Sequence, residues 1–332
     1  MLVVTGGAGF IGSNLVRALN AAGRSDILVV DDLRDAHKVL NLSDCRIADY
    51  LDLHDFQARI SAGQELAPKI EGIFHQGACT DTTEWDGLLM LRANYEYSKQ
   101  LLHYATARKL PLVYASSASV YGAGREFRVS EDCERPINVY AFSKLMFDRH
   151  VRQATATFRA PVIGLRYFNV YGPGEAHKGK MASVIHHFNE QLKAGDEVRL
   201  FAGSDGYADG GQLRDFIHVD DIVAVNLWAM ERGKSGIFNV GTGQARVEKL
   251  ASNRRYTLPG GAVQFDRGSA TTSAVAAAAG EGVVDPWLKT LSFWDDDTAL
   301  AAVSFYAVHP MSYYRTGEVS ADFPGLARRQ LQ

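Results

Sequence analysis

Apolar residues in this chain are grouped in short continuous runs, and the stretches between them carry a helical repeat. The runs are Leu2-Val3-Val4-Thr5, Ile27-Leu28-Val29-Val30, Gly72-Ile73-Phe74-His75, Leu112-Val113-Tyr114-Ala115-Ser116 and Val162-Ile163-Gly164-Leu165-Arg166. Consecutive apolar positions bounded by turn residues mark strands buried on both faces. Residues 13–22, 85–107 and 139–157 read as helices between them. Strands alternating with helices predict an α/β fold, a Rossmann-like doubly wound parallel sheet. Ligands on such sheets lie beyond the carboxyl ends of the strands. Gly77-Ala78, Ser116-Ser117 and Asn169 all fall at strand ends, so the polar candidates converge on one edge.

The first strand runs into Gly6-Gly7-Ala8-Gly9-Phe10-Ile11-Gly12, which opens the first helix. Glycines allow a tight turn and let the backbone approach a pyrophosphate, whose charge is stabilised by amides at the helix N-terminus. The second strand ends in Asp31-Asp32, roughly twenty residues further on, where a carboxylate meets an adenosine ribose. Together these predict a dinucleotide site built on Gly6, Gly9, Phe10, Ile11, Gly12, Asp31 and Asp32. A phosphorylated ribose needs a cation, and Arg34 and Lys38 share that loop. NAD fits the pattern and NADP is favoured. Asp49 is expected to end another short strand, either meeting the adenine amino group or capping a turn.

Tyr140-Ala-Phe-Ser-Lys144 places a phenol and an ammonium on one helix face. A tyrosine titrates near ~10 and becomes a useful base only when a positive neighbour lowers that value. The pair is therefore expected to be a tuned proton acceptor. On a strand, Ser116 and Ser117 face opposite ways, so only one of the two can point into the site. His75, ending an apolar strand, is expected to be a hydrogen-bonded structural residue.

Of 332 residues, 46% are hydrophobic and 22% charged, enough for a full core in one large or two medium domains. A formal net charge of -3 gives no general attraction to nucleic acid or anionic membranes. The longest apolar run, around residues 299–308, is far short of the ~20 residues of a bilayer span. Met1 leads into the first strand without a charged leader, and Cys45, Cys79 and Cys133 show neither metal nor disulfide spacing. A cytoplasmic protein with no metal, no nucleic acid and no membrane partner is expected.

The glycine turn, Ser116-Ser117 and Tyr140-x-x-x-Lys144 resemble the extended short-chain dehydrogenase/reductase superfamily. Within it, Arg166-Tyr167-Phe168-Asn169-Val170-Tyr171-Gly172-Pro173-Gly174-Glu175-Ala176-His177-Lys178-Gly179 resembles the ADP-L-glycero-D-manno-heptose 6-epimerases, as do Thr83-Glu84-Trp85-Asp86-Gly87 and Asn226-Leu227-Trp228. The resemblance covers residues 1 to about 243. It implies an isomerase that removes and returns a hydride at the heptose C6 of an ADP-sugar with bound NADP, for lipopolysaccharide core heptose. Tyr140 and Lys178 would act as acid/base groups on the two faces, with Ser116 on the reacting oxygen and Lys144 on the nicotinamide ribose. Gln76, Gly77, Ala78, Asn94 and Val170 would join Lys38 around the cofactor. Asn169, Lys180, His187, Phe201, Ser204 and Arg214 would contact the substrate. Lys180 departs from the smaller residue of the family, and Leu53 replaces a lysine near the cofactor phosphate. The family forms rings of identical subunits, so a homo-oligomer is expected.

Three regions follow: a cofactor domain over 1–165, part of a substrate domain over 166–243, and an atypical segment over 244–332. That last segment, with Val308-His309-Pro310 and Asp285-Pro286-Trp287, resembles a fragment of a neutral ceramidase-like hydrolase. His309 would match one metal ligand there, but a catalytic zinc takes about three protein ligands, and no metal is expected. Residues 271–280 suggest a loop or weak helix, and the segment is expected to pack poorly. The sugar side would then be weakened more than the cofactor side. Other readings of the whole chain are a different nucleotide-sugar epimerase or dehydratase, a cofactor-binding scaffold with little activity, and a lipid amidase directed by the tail.

Overall fold

A computed structural model describes residues 1–195, 197–204 and 206–246, with strand segments at 256–257, 263–264, 287–295 and 298–305. The chain divides into two compact units, Met1–Thr242 with Ser292–Ala301, and Gly243–Leu291 with Ala302–Gln332. His309 and residues 271–280 lie outside the described residues, so the expectations attached to them do too.

The first unit holds a seven-stranded sheet. Its strands are β1 (Leu2–Thr5), β2 (Ile27–Asp31), β3 (Asp49–Asp52), β4 (Gly72–His75), β5 (Leu112–Ser117), β6 (Val162–Tyr167) and β9 (Gly236–Val240). They lie side by side in the order β3-β2-β1-β4-β5-β6-β9, and every neighbouring pair is parallel. The order reverses at β1 and β4, which is where such sheets open a crevice for ligand. Two short strands, β7 (Asn169–Tyr171) and β8 (Phe216–His218), pair parallel beside the main sheet. Asp49 opens β3 rather than ending a strand, and its carboxylate accepts from the Tyr50 amide.

Helices α1 (Phe10–Ala21), α2 (Leu53–Ser61), α4 (Tyr97–Arg108), α5 (Val139–Ala154) and α7 (Val219–Arg232) cover the sheet. On one face Val3, Leu28, Ile73, Leu112 and Tyr114 meet Phe56, Leu101, Leu102, Phe147 and Val151 in a single buried cluster. The residue pattern predicts one helix over 85–107. The structure has α3 (Gly87–Met90), capped by Asp86, then a π-helical turn Leu91–Glu96 that leads directly into α4. A π turn inserts one extra residue per turn and redirects a side chain. Here that turn carries Asn94 inward, to 1% exposure.

Asn138 starts α5 by accepting from the Ala141 amide, satisfying one of the four orphan donors of a helix start. What holds α5 down is a buried charge network. Arg166 of β6, fully buried, donates to Asp148 of α5 at 2.9 Å and to the Tyr121 hydroxyl at 2.9 Å, and pairs with Glu134. Arg152, one turn beyond Asp148, binds Glu134 through both guanidinium arms. Asp148 also accepts from Tyr114 and Ser116 of β5, each at 2.9 Å. Two cations and two anions thus cancel while binding α5 to β5 and β6.

Removing one partner of such a cluster strands a charge in the interior, which costs about 3–5 kcal/mol. Asp148→Ala should lower unfolding stability by that amount in a denaturant titration. A loss below about 1 kcal/mol, the range of an exposed ion pair, would contradict the account.

Candidate active site

The glycine turn is fixed by backbone contact. Gly6 has φ of +66°, and a Cβ there would lie 2.6 Å from the Gly77 amide nitrogen. A Cβ on Gly12 would lie 2.1 Å from the Gly6 carbonyl oxygen. Gly9 caps α1 without a side-chain acceptor, so the first amides of that helix have no intrahelical partner and face outward. They border a cleft of about 1070 Å³ that takes in Gly6, Gly9, Phe10, Ile11, Gly12, Asp31, Asp32, Lys38, Gln76, Gly77, Ala78 and Lys178. Leu53 lies on its wall, as do Arg34, Cys79 and His177.

The two aspartates divide their work. Asp31 is buried and accepts from the Ala8 amide at 2.8 Å, the Asp32 amide at 2.7 Å and Lys38 Nζ at 3.0 Å. It braces the turn. Asp32 accepts from Arg34 Nε at 2.7 Å, and that guanidinium holds its carboxyl below the usual range. Arg34 itself is 84% exposed, so the Asp32–Arg34 pair places a carboxylate and a guanidinium side by side at the cleft rim. The residues fit a dinucleotide: free amides at a helix start, a cradle that a Cβ would fill, and a mixed-charge rim.

Gln76 is held in the wall by a triangle of side chains. Tyr167 donates to it at 3.0 Å, Gln76 donates to Asn226 at 2.9 Å, and Asn226 donates back to Tyr167 at 2.8 Å. Asn94 does not line the cleft. Its amide exchanges hydrogen bonds with the Cys79 backbone at 2.8 and 2.9 Å and donates to Ser143 at 3.0 Å, so it pins the Gln76–Cys79 strand end to α5. His75 bonds Thr5 at 2.7 Å and Ser98 at 2.8 Å, and burial drives its pKa down to about 3. It is the structural residue expected.

The tyrosine and lysine of α5 differ from expectation. Burial raises the Tyr140 pKa, and a hydrogen bond with Ser117 works against that. Lys144 donates to the Ala115 carbonyl of β5 at 2.8 Å. Burial lowers its own pKa from 10.5 to about 8, with the charge of Asp148 opposing. Burial thus opposes ionisation of the phenol while the Ser117 hydrogen bond favours it, and one of the three donors of the Lys144 amine is committed to the strand. Ser116 also departs from expectation: it is 3% exposed and donates to Asp148. Ser117, on the other face of β5, is the serine beside Tyr140. Tyr140, Lys144, Ser116 and Val170 stand outside the cleft wall.

Lys178 sits on a short 3-10 stretch, Ala176–Met181, with its ammonium 5.4 Å from the centre of the Phe10 ring. Burial pushes its pKa down, and Glu175 opposes this. The six residues expected on the sugar side do not border this cleft. Asn169 donates to the Asp215 carbonyl at 3.1 Å, Lys180 reaches Thr83 at 3.2 Å and Asp81 at 3.6 Å, and His187 lies on α6 (Val184–Ala194) against His186. Phe201, Ser204 and Arg214 are exposed between α6 and β8. Among the described residues no cluster of three or more His, Cys, Asp or Glu is arranged to hold a metal, and no helix is long and apolar enough to cross a membrane.

A parallel sheet with a glycine turn at its switch point, an adjoining acidic strand end and a Tyr/Lys helix defines a nicotinamide-dependent nucleotide-binding enzyme class. The chain belongs to the NAD dependent epimerase/dehydratase family, whose model matches residues 2–241. It is 56% identical over 248 residues to the ADP-L-glycero-D-manno-heptose-6-epimerase of Alkalilimnicola ehrlichii, covering 74% of this chain and 77% of the relative. Among solved structures, the same-named enzyme of Helicobacter pylori matches with a TM-score of 0.63 at 34% identity, over 72% of this chain and 76% of that one. UDP-glucose 4-epimerase of Thermotoga maritima, solved with UDP-glucose, matches with a TM-score of 0.60 at 29% identity, again over 72% and 76%.

The shifted Lys144 gives a pH signature. Its pKa is about 8 when folded against 10.5 ordinarily, so between those values the unfolded chain binds more protons and this residue adds stability as pH rises. Below about pH 8 the cost of the buried ammonium is fully present. Relative to the unmodified chain, Lys144→Met should lose about 1–3 kcal/mol of the stability gain between those two pH values. Parallel stability curves for the two proteins in denaturant titrations across that range would contradict this.

Proposed function

We propose that the chain is an ADP-glyceromanno-heptose 6-epimerase, interconverting ADP-D-glycero- and ADP-L-glycero-D-manno-heptose with NADP. The observation that carries this reading is the His177-Lys178-Gly179 loop seated at the glycine turn, in a chain 56% identical to a heptose epimerase. NADP rather than NAD is favoured by Arg34 and Lys38 beside the two aspartates at the rim. A cytoplasmic setting and self-association into a homo-oligomer go with this reading.

A nicotinamide cofactor held by the glycine turn and the Asp32–Arg34 rim would supply the hydride acceptor and donor for C6. Inversion requires a proton partner on each side of one carbon. Tyr140, acting as the phenolate that a Ser117 hydrogen bond on the same oxygen favours, holds the C6 hydroxyl of one epimer and becomes the neutral phenol as it takes that proton and the ketone forms. Lys178 serves the other epimer; burial lowers its pKa, which increases the fraction of free amine available as a base. When the hydride returns, the residue on the new side supplies the proton to the alkoxide oxygen, so no net oxidation remains. Lys144, held by Ala115 on the strand before Ser117, orients the nicotinamide ribose and places Tyr140 through their shared helix. The Asp32–Arg34 rim meets the adenosine ribose and its phosphate.

Incubation with one C6 epimer of ADP-heptose and NADP, followed by separation of the epimers, tests the reading. Conversion is expected. Tyr140→Phe and Lys178→Met should each slow it by roughly 10²–10⁴-fold. Ser117→Ala should slow it about tenfold, the worth of one hydrogen bond, while Ser116→Ala costs about 1 kcal/mol of stability instead. Conversion of UDP- or GDP-sugars with ADP-heptose left unchanged would make the chain a different nucleotide-sugar epimerase.

A further inference from the structure

We infer that Asn41 is the positioning residue for Lys178: its carboxamide fastens the loop bearing that amine to the backbone of the glycine turn. This rests on the acid/base role given to Lys178 above. Asn41 is 9% exposed and lies in the 3-10 stretch Ala36–Leu42 that follows the acidic strand end. Its Nδ2 donates to the Ala8 carbonyl at 3.0 Å and to the Gly174 carbonyl at 3.1 Å. An amide NH₂ has two hydrogens, and these two carbonyls take both. His177 Nδ1 lies 3.1 Å from the same Gly174 oxygen and 3.2 Å from Asn41 Nδ2. With both amide hydrogens committed, Nδ1 carries its own proton and donates it to Gly174. The residue just before Lys178 thus shares an acceptor with Asn41.

A second clasp is parallel to the first. Asn14 of α1 donates to the Phe10 carbonyl at 2.9 Å and to the Pro173 carbonyl at 2.8 Å. Gly174 between the clasps has φ of +93°, yet a Cβ there would meet nothing closer than 3.5 Å. Glycine is needed for that backbone conformation, which presents neighbouring carbonyls to Asn14 and Asn41, and not for space. Glu175, 2% exposed, closes the loop on itself by accepting from the Gly172 amide at 3.2 Å, the Ser183 amide at 2.6 Å and the Ser183 hydroxyl at 2.8 Å.

A lysine has four rotatable bonds and is not held by a ring at 5.4 Å alone. The loop backbone has to set where the amine reaches. Both clasps end on carbonyls of the turn and of the first residue of α1, the segment whose amides receive the cofactor phosphate. The distance between Lys178 and the cofactor is thereby fixed through two asparagines, neither of which borders the cleft.

Asn41→Asp keeps the shape and replaces the donor by a carboxylate oxygen facing two carbonyls. Asn14→Asp does the same at the second clasp. Lysine acetylation with acetic anhydride, mapped by mass spectrometry in the intact chain, should show severalfold faster labelling of Lys178 in each variant, with Lys144 labelling and NADP affinity unchanged. Turnover of ADP-heptose should fall about tenfold at unchanged KM, as expected for a displaced catalytic group. Unchanged Lys178 labelling in both variants would overturn the proposal. So would parallel loss of NADP binding in both, because the amides would then serve the turn itself. Lys178→Met with undiminished epimerisation would instead refute the acid/base reading, and the labelling experiment would still decide the anchoring.

Discussion

The backbone of Gly6 lies where a side chain on Gly12 would be, the backbone of Gly77 lies where one on Gly6 would be, and that close approach organises the first unit. It brings the start of α1 against the ends of β1 and β4, at the point where strand order reverses. Because the helix begins there without a side-chain cap, its amides remain available to an anion. The turn also presents carbonyls on its far side. Ala8 and Phe10 offer theirs to Asn41 and Asn14, and through these to the Lys178 loop. One local packing constraint therefore shapes the cleft and anchors a wall of it.

A second support acts from the other side of the sheet. The Asp148, Arg166, Glu134 and Arg152 cluster holds α5 on β5 and β6, and Lys144 and Tyr140 sit on the same helix one and two turns before Asp148. Buried ion networks contribute little net stability compared with apolar packing, but they restrict how two elements can meet. Here the restriction fixes which face of β5 the helix covers. Tyr114 and Ser116 turn to Asp148, Ala115 gives its carbonyl to Lys144, and Ser117 is left for Tyr140.

Much of this was legible in the sequence. Five apolar runs became β1, β2, β4, β5 and β6 within a residue at each end, because a strand covered on both faces leaves an unmistakable composition. The glycine turn was equally plain, since no other residue type tolerates its contacts. The serine assignment failed for a different reason: alternation says that Ser116 and Ser117 point apart, but which one faces the site depends on Asp148, far along the chain. The acidic pair shows the same limit. Asp31 and Asp32 are adjacent and alike, yet only the folded turn reveals that Asp31 is consumed by the Ala8 amide and Lys38. The family resemblance implies a cofactor contact at Asn94, while a π turn sends it to Cys79 and Ser143, and no residue pattern announces a π turn. Phe201, Ser204 and Arg214 belong to a connection without periodicity, where side-chain direction is not encoded locally.

A crystal structure of the chain with NADP bound is the most direct measure of the central claim, that a cofactor in the glycine-turn cleft, with Lys178 on its wall, brings its reactive ring within reach of Tyr140 beyond that wall. The account predicts the diphosphate on the amides of residues 10–12 and the nicotinamide ring between Tyr140 and Lys178. A ring directed away from either residue, or Tyr140 and Lys178 opening onto separate cavities with the cofactor in place, would contradict it.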